Sequence, residues 1–113
     1  MNQQDDALVG KLLPYREQPG IQAALLISRD GFLVASAADP AINGETLAAH
    51  LGAVVDIGAT LSEELDQRET KYISFELSDL NIVLAPFSDE LLLALVGTPS
   101  AIDLQYRLGG GRA

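Results

Sequence analysis

The chain has 113 residues, a hydrophobic content of 48%, a charged content of 20% and a formal net charge of −9. That composition describes a globular domain with a core of its own rather than a disordered tail. It argues against nucleic-acid binding and against docking on anionic lipid, both of which need clustered Lys and Arg. There is no cysteine, which removes disulfide frameworks, thiolate zinc sites and thiol nucleophiles and fits a reducing, cytoplasmic setting. Met1-Asn2-Gln3-Gln4-Asp5-Asp6 is polar and acidic, unlike a secretion signal, and no apolar run approaches the length of a membrane span.

Asp5 or Asp6 can cap a first helix with Leu8, Val9, Leu12 and Leu13 on its apolar side. Pro14 is expected to end or kink it. Gln18-Pro19-Gly20-Ile21 reads as a tight turn. Gln22 to Ser28 is apolar at both parities, which predicts a strand covered on both faces or central in its sheet. Asp30-Gly31 then predicts a hairpin into a strand over Phe32 to Ala37.

After Ser36 to Pro40, Asn43 is a helix N-cap and Glu45 sits in the first turn. Gly44 to Gln67 keeps one helical period throughout, a rod of about 35 Å at about 1.5 Å per residue. Its first stripe is Leu47, Leu51, Val54, Gly58, Leu61 and Leu65, and its second is Ala48, Gly52, Val55, Ala59 and Ser62. The small side chains of the second stripe indicate that another backbone comes close. The expectation is a leucine seam facing the sheet and a small-residue stripe facing a partner.

Beyond the helix the period becomes two. Ile73, Phe75 and Leu77 share one face of a strand, and Tyr72, Ser74 and Glu76 the other, as near a sheet edge. Asn81 to Phe87 and Leu91 to Val96 are two further strands, the last wholly apolar and central. Thr98 caps a final helix with Pro99 at its first position, with Ala101, Leu104 and Leu108 as its buried side and a fraying end at Gly109-Gly110-Gly111. The order describes an α+β domain, an antiparallel sheet with helices packed on it, over residues 1–113 with an ordered core of about 5–108.

No pattern of chemistry competes with these surfaces. His50 has no metal ligand at helical reach, and Glu63, Glu64, Asp66 and Glu69 lack the glycine-turned loop a calcium site needs. There is neither a Walker-type phosphate loop nor a nucleophile elbow. The expectations are therefore no catalytic residue, no cofactor and no metal. A homodimer interface over Ala48, Leu51, Gly52, Val55, Ala59, Ser62, Tyr72, Ser74 and Glu76 is expected, extending the sheet across a two-fold axis. Asp56, Glu63 and Glu64 are candidates for meeting a basic partner, on charge alone.

Pro19 to Ser36, the long helix, Tyr72 to Glu76 and Asn81 to Ala85 together resemble the roadblock / dynein light-chain family, most closely its bacterial MglB-like members, over roughly residues 5–108. The resemblance implies a profilin-like sheet of order 2-1-5-4-3. It also implies a homodimer with packed long helices and paired third strands, and a role regulating or scaffolding a small Ras-like GTPase. In bacterial members that role is often GTPase activation, by remodelling the partner's switches rather than inserting a catalytic arginine. A small-ligand sensor and a structural light chain of a larger complex are the alternatives.

Overall fold

The computed structural model describes residues 6–109. Its elements follow the order α1 (Asp6–Arg16), β1 (Ile21–Ser28), β2 (Leu33–Ala38), α2 (Gly44–Glu64), β3 (Ile73–Glu76), β4 (Asn81–Pro86), β5 (Leu91–Gly97) and α3 (Pro99–Gly109). The strands form one antiparallel sheet of order β2-β1-β5-β4-β3. The expected α+β architecture and strand order are therefore those observed. The two most apolar strands lie side by side, with Leu25 opposite Ala94 and Leu26 opposite Leu93.

Alternation along β1 divides the core into two layers. Ala23, Leu25 and Ile27 pack with Leu84, Leu92, Ala94 and Val96 beneath Ala48 and Leu51 of α2. Ala24 and Leu26 pack on the opposite face with Val83 and Leu95, covered by Leu12 of α1 and by Ala101 and Ile102 of α3. Ile21 joins this second layer despite sharing parity with Ala23. The β1–β5 register shifts between the two, and the extra residue turns the side chain over. Leu25, Leu26 and Ile27 are fully buried, each stabilising by about 1.5–3 kcal/mol relative to exposure.

Local signals explain most boundaries. The Asn43 side chain accepts a hydrogen bond from the Thr46 amide at 3.0 Å, and the Thr98 hydroxyl oxygen accepts one from the Ala101 amide at 3.2 Å. The β1–β2 turn places Gly31 at φ 92°, where a side chain would be strained. Two expectations about boundaries are corrected. The long helix α2 ends at Glu64, with Leu65 as its C-cap, and not at Gln67. Pro14 does not end α1, which continues to Arg16. A helical proline clashes with the carbonyl four residues back and leaves it without an amide donor. Here that residue is Gly10, exposed and open around its Cα, so the carbonyl can tilt to solvent.

On α3 the inward residues are Ala101 and Ile102, while Leu104 is exposed. Asp5, the side chain of Leu108 and Gly110-Gly111 lie outside the described residues.

Candidate interaction surface on the second helix and third strand

At 21 residues, α2 is about 31 Å long, whereas five strands about 4.8 Å apart place the outer strand axes only about 19 Å from one another. The helix is longer than the sheet is wide. Its first half is embedded and its second half is not. Ala48 and Leu51 are 0% and 3% exposed, whereas Ile57, Leu61 and the C-cap residue Leu65 are 60%, 54% and 69% exposed.

This reverses the expected division of the two stripes. The backbone that approaches the small residues is the chain's own. A Cβ added at Gly52 would lie 2.6 Å from the Gly31 Cα and 2.9 Å from the Gly31 nitrogen. Ala48, Gly52 and the β1–β2 turn thus form one intramolecular contact, and Leu51 belongs to the core beside them. Ala48, Leu51 and Gly52 are accordingly corrected from partner-facing to inward-facing residues. The leucine stripe, expected to face the sheet, does so through Leu51 and in part through Leu47, then emerges at Leu61 and Leu65, whereas Val55 of the second stripe packs against the same core cluster. Ile57 joins that emergent end, although neither stripe included it.

The rest of the expected interface divides between two places. Tyr72, just before β3, and Ser74 and Glu76 within it are exposed, and among the described residues β3 is an edge strand paired only with β4. Phe75, on the other face of that strand, and Leu77 just after it are also exposed large apolar side chains. Only Ile73 on this face is half-buried, near Gly58 of α2. The free edge of β3 and the apolar end of α2 thus lie at the same side of the sheet.

Val55, Ala59 and Ser62 fall instead on the other flank of the helix, where they line a groove of about 490 Å³. The Ser62 and Thr70 hydroxyl oxygens, 3.0 Å apart, share a hydrogen bond that ties the loop after α2 to the helix. Opposite stands the β4–β5 turn with Pro86, Phe87, Ser88 and Asp89. Arg29 closes one end, its Nε donating to the Asp89 carbonyl oxygen at 3.3 Å.

Of the acidic candidates, Asp56 and Glu63 are exposed and share a flank, being seven residues apart on one helix. Glu64 is exposed on a different side, and only Glu63 lines the groove. His50 is exposed on α2. Among the described residues there is no group of three or more His, Cys, Asp or Glu placed to hold a metal. No helix among them is long and apolar enough to cross a membrane.

The features that stand out are surfaces on an α+β scaffold: an unpaired strand edge, the apolar end of a helix and a groove beside it. The chain belongs to the Roadblock/LC7 domain family, whose model matches residues 11–97. Among solved structures it is similar to the gliding protein MglB of Thermus thermophilus, with a TM-score of 0.79 and 22% identity over 95% of this chain and 82% of that one. Myxococcus xanthus MglB superposes with a TM-score of 0.76 at 13% identity, covering 95% of this chain and 85% of its own. A Roadblock/LC7 domain from Streptomyces avermitilis gives 0.75 at 20% identity, over 94% and 89% of the two chains. No curated protein matches the chain in sequence. At these identities the likeness to solved structures is one of fold.

Proposed function

We propose that the chain is a homodimeric, non-enzymatic regulator or scaffold of a small Ras-like GTPase, working in the cytoplasm. The observation that carries the proposal is the apolar row Ile57, Leu61 and Leu65, exposed at the same side of the sheet as the free edge of β3 with its exposed Phe75 and Leu77. A row of this kind needs cover in water. A second copy supplies it, because a two-fold axis places the same helix end and the same strand edge opposite themselves. The revised interface is Ile57, Leu61, Leu65, Phe75 and Leu77, together with Tyr72, Ser74 and Glu76 along the paired edge.

Membership of the Roadblock/LC7 family and the MglB-like fold support a regulatory role. In this reading the nucleotide and its chemistry stay in the partner. The dimer acts on hydrolysis by holding the partner's switch segments in one of their arrangements, a shift set by its differential affinity for the two. Asp56, Glu63 and Glu64 speed encounter with a basic partner surface more than they tighten the complex.

The test is to mix the purified chain with a small Ras-like GTPase encoded in the same genome, loaded with GDP or with a non-hydrolysable GTP analogue. A complex containing two copies of this chain and selective for one nucleotide state is expected, with single-turnover hydrolysis altered. No complex in either state would overturn the assignment.

A further inference from the structure

The groove on the flank of α2 facing away from Ile57, Leu61 and Leu65 has no part in the proposed dimer. At about 3.6 residues per turn, Val55 and Ala59 point about 160° away from Ile57 and Leu61, while Ser62 lies between the two faces, next to Leu65. The Val55 and Ala59 side of the groove therefore stays open when two copies associate through that row. We propose that it is a docking slot for a short basic segment of a partner protein that carries apolar side chains. The inference deepens the regulatory reading above, and rests on it in taking the occupant to be a segment of the regulated partner.

The lining favours polypeptide over a small metabolite. Small-ligand pockets are enclosed, largely apolar and built around a few convergent polar groups. This groove is open to solvent, and no polar or charged side chain is buried anywhere among the described residues. It has the layered character of a protein interface. Val55, Ala59, Pro86 and Phe87 supply apolar surface, and charged side chains stand around them.

Charge then selects the segment. Glu63, Glu69 and Asp89 face the groove, against Arg29 and Arg68. Arg29 is held in part by the Asp89 carbonyl oxygen and acts as the closed end. Arg68 is exposed in the loop after α2. The surrounding molecule carries a net charge of −9, so an anionic segment would be repelled on approach and a basic one drawn in. The groove walls are braced by the shared Ser62–Thr70 hydrogen bond and by Arg29, which leaves little to reorganise on binding.

The test titrates the isotope-labelled 113-residue chain with three pools of synthetic ten-residue peptides. In one pool Lys and Arg alternate with Leu, Val and Phe, in the second Asp and Glu replace the basic residues, and in the third Ser and Asn do. The basic pool is expected to shift the backbone amides of Ala59, Thr70 and Ser88. Ala59→Met, at an exposed helical position where the longer side chain fills the groove, is expected to weaken that binding at least tenfold while leaving the number of copies in the oligomer unchanged. Preference for the acidic pool would overturn the proposal, as would shifts that spare these amides, no shifts at all, or binding that Ala59→Met leaves intact. None of these outcomes bears on whether a GTPase forms a complex, which the mixing experiment decides separately.

Discussion

Gly52→Ala tests whether the small-residue stripe of α2 serves the chain's own turn. The added Cβ would meet the Gly31 Cα at 2.6 Å, the Gly31 nitrogen at 2.9 Å and the Asp30 carbonyl carbon at 3.2 Å. Carbon atoms in good contact sit at about 3.5–4.0 Å, so helix and turn must separate by about 1 Å. All three neighbours are backbone, and the turn is pinned by the Gly31 amide to the Ser28 carbonyl at 3.0 Å and the Ser28 amide to the Phe32 carbonyl at 2.9 Å. Overpacking of this kind costs about 1–3 kcal/mol, while replacing a helical glycine by alanine returns about 1 kcal/mol. The expected outcome is a variant between neutral and about 2 kcal/mol less stable. Gly10→Ala in α1 is the control, since nothing lies within 4 Å of its added Cβ and only the helical gain operates. Urea unfolding of both variants at one protein concentration isolates the steric cost as their difference, about 1–3 kcal/mol. Gly52→Ala proving as stable as Gly10→Ala would refute the intramolecular contact.

Leu51→Glu places an unpaired charge in the layer between α2 and the sheet, where Leu51 is almost fully buried. It is expected to abolish the cooperative thermal transition rather than merely separate subunits, as circular dichroism would show. Asn43→Ala removes the side-chain acceptor of the Thr46 amide. A loss of about 1 kcal/mol in urea unfolding is expected, with the fold retained.

Strand order and layering were legible because they rest on signals within reach of a local window. Parity identified Gln22 to Ser28 and Leu91 to Val96 as doubly covered, and these are the neighbouring strands β1 and β5. Asn43, Thr98 and Asp30-Gly31 marked boundaries through capping and turn chemistry that depends on a few adjacent residues. The surface was less legible. Periodicity shows that Leu47, Leu51, Leu61 and Leu65 share a stripe, but not how far along α2 the sheet beneath extends. That limit is set by a four-residue β3 at the sheet edge, which leaves the end of the helix without a floor. The same blindness placed the partner at Gly52. Small residues report a close backbone, and only the folded turn at Gly31 shows whose backbone it is. The groove joins Arg29, the end of α2 and the β4–β5 turn, three segments far apart in the chain, and no motif spans them. For the emergent apolar end, helix length was the available signal, because 21 helical residues exceed the width of a five-stranded sheet.

The central claim is that the exposed end of α2 and the free edge of β3 are covered by a second copy. Light scattering during gel filtration of the unmodified protein and of Leu61→Glu tests it most directly. Leu61 is 54% exposed, so its substitution spares the core, unlike that of Leu51. The expected mass is that of two 12.0 kDa chains for the unmodified protein and of one for the folded variant. A one-chain mass for the unmodified protein, or a two-chain mass that Leu61→Glu leaves intact, would contradict it.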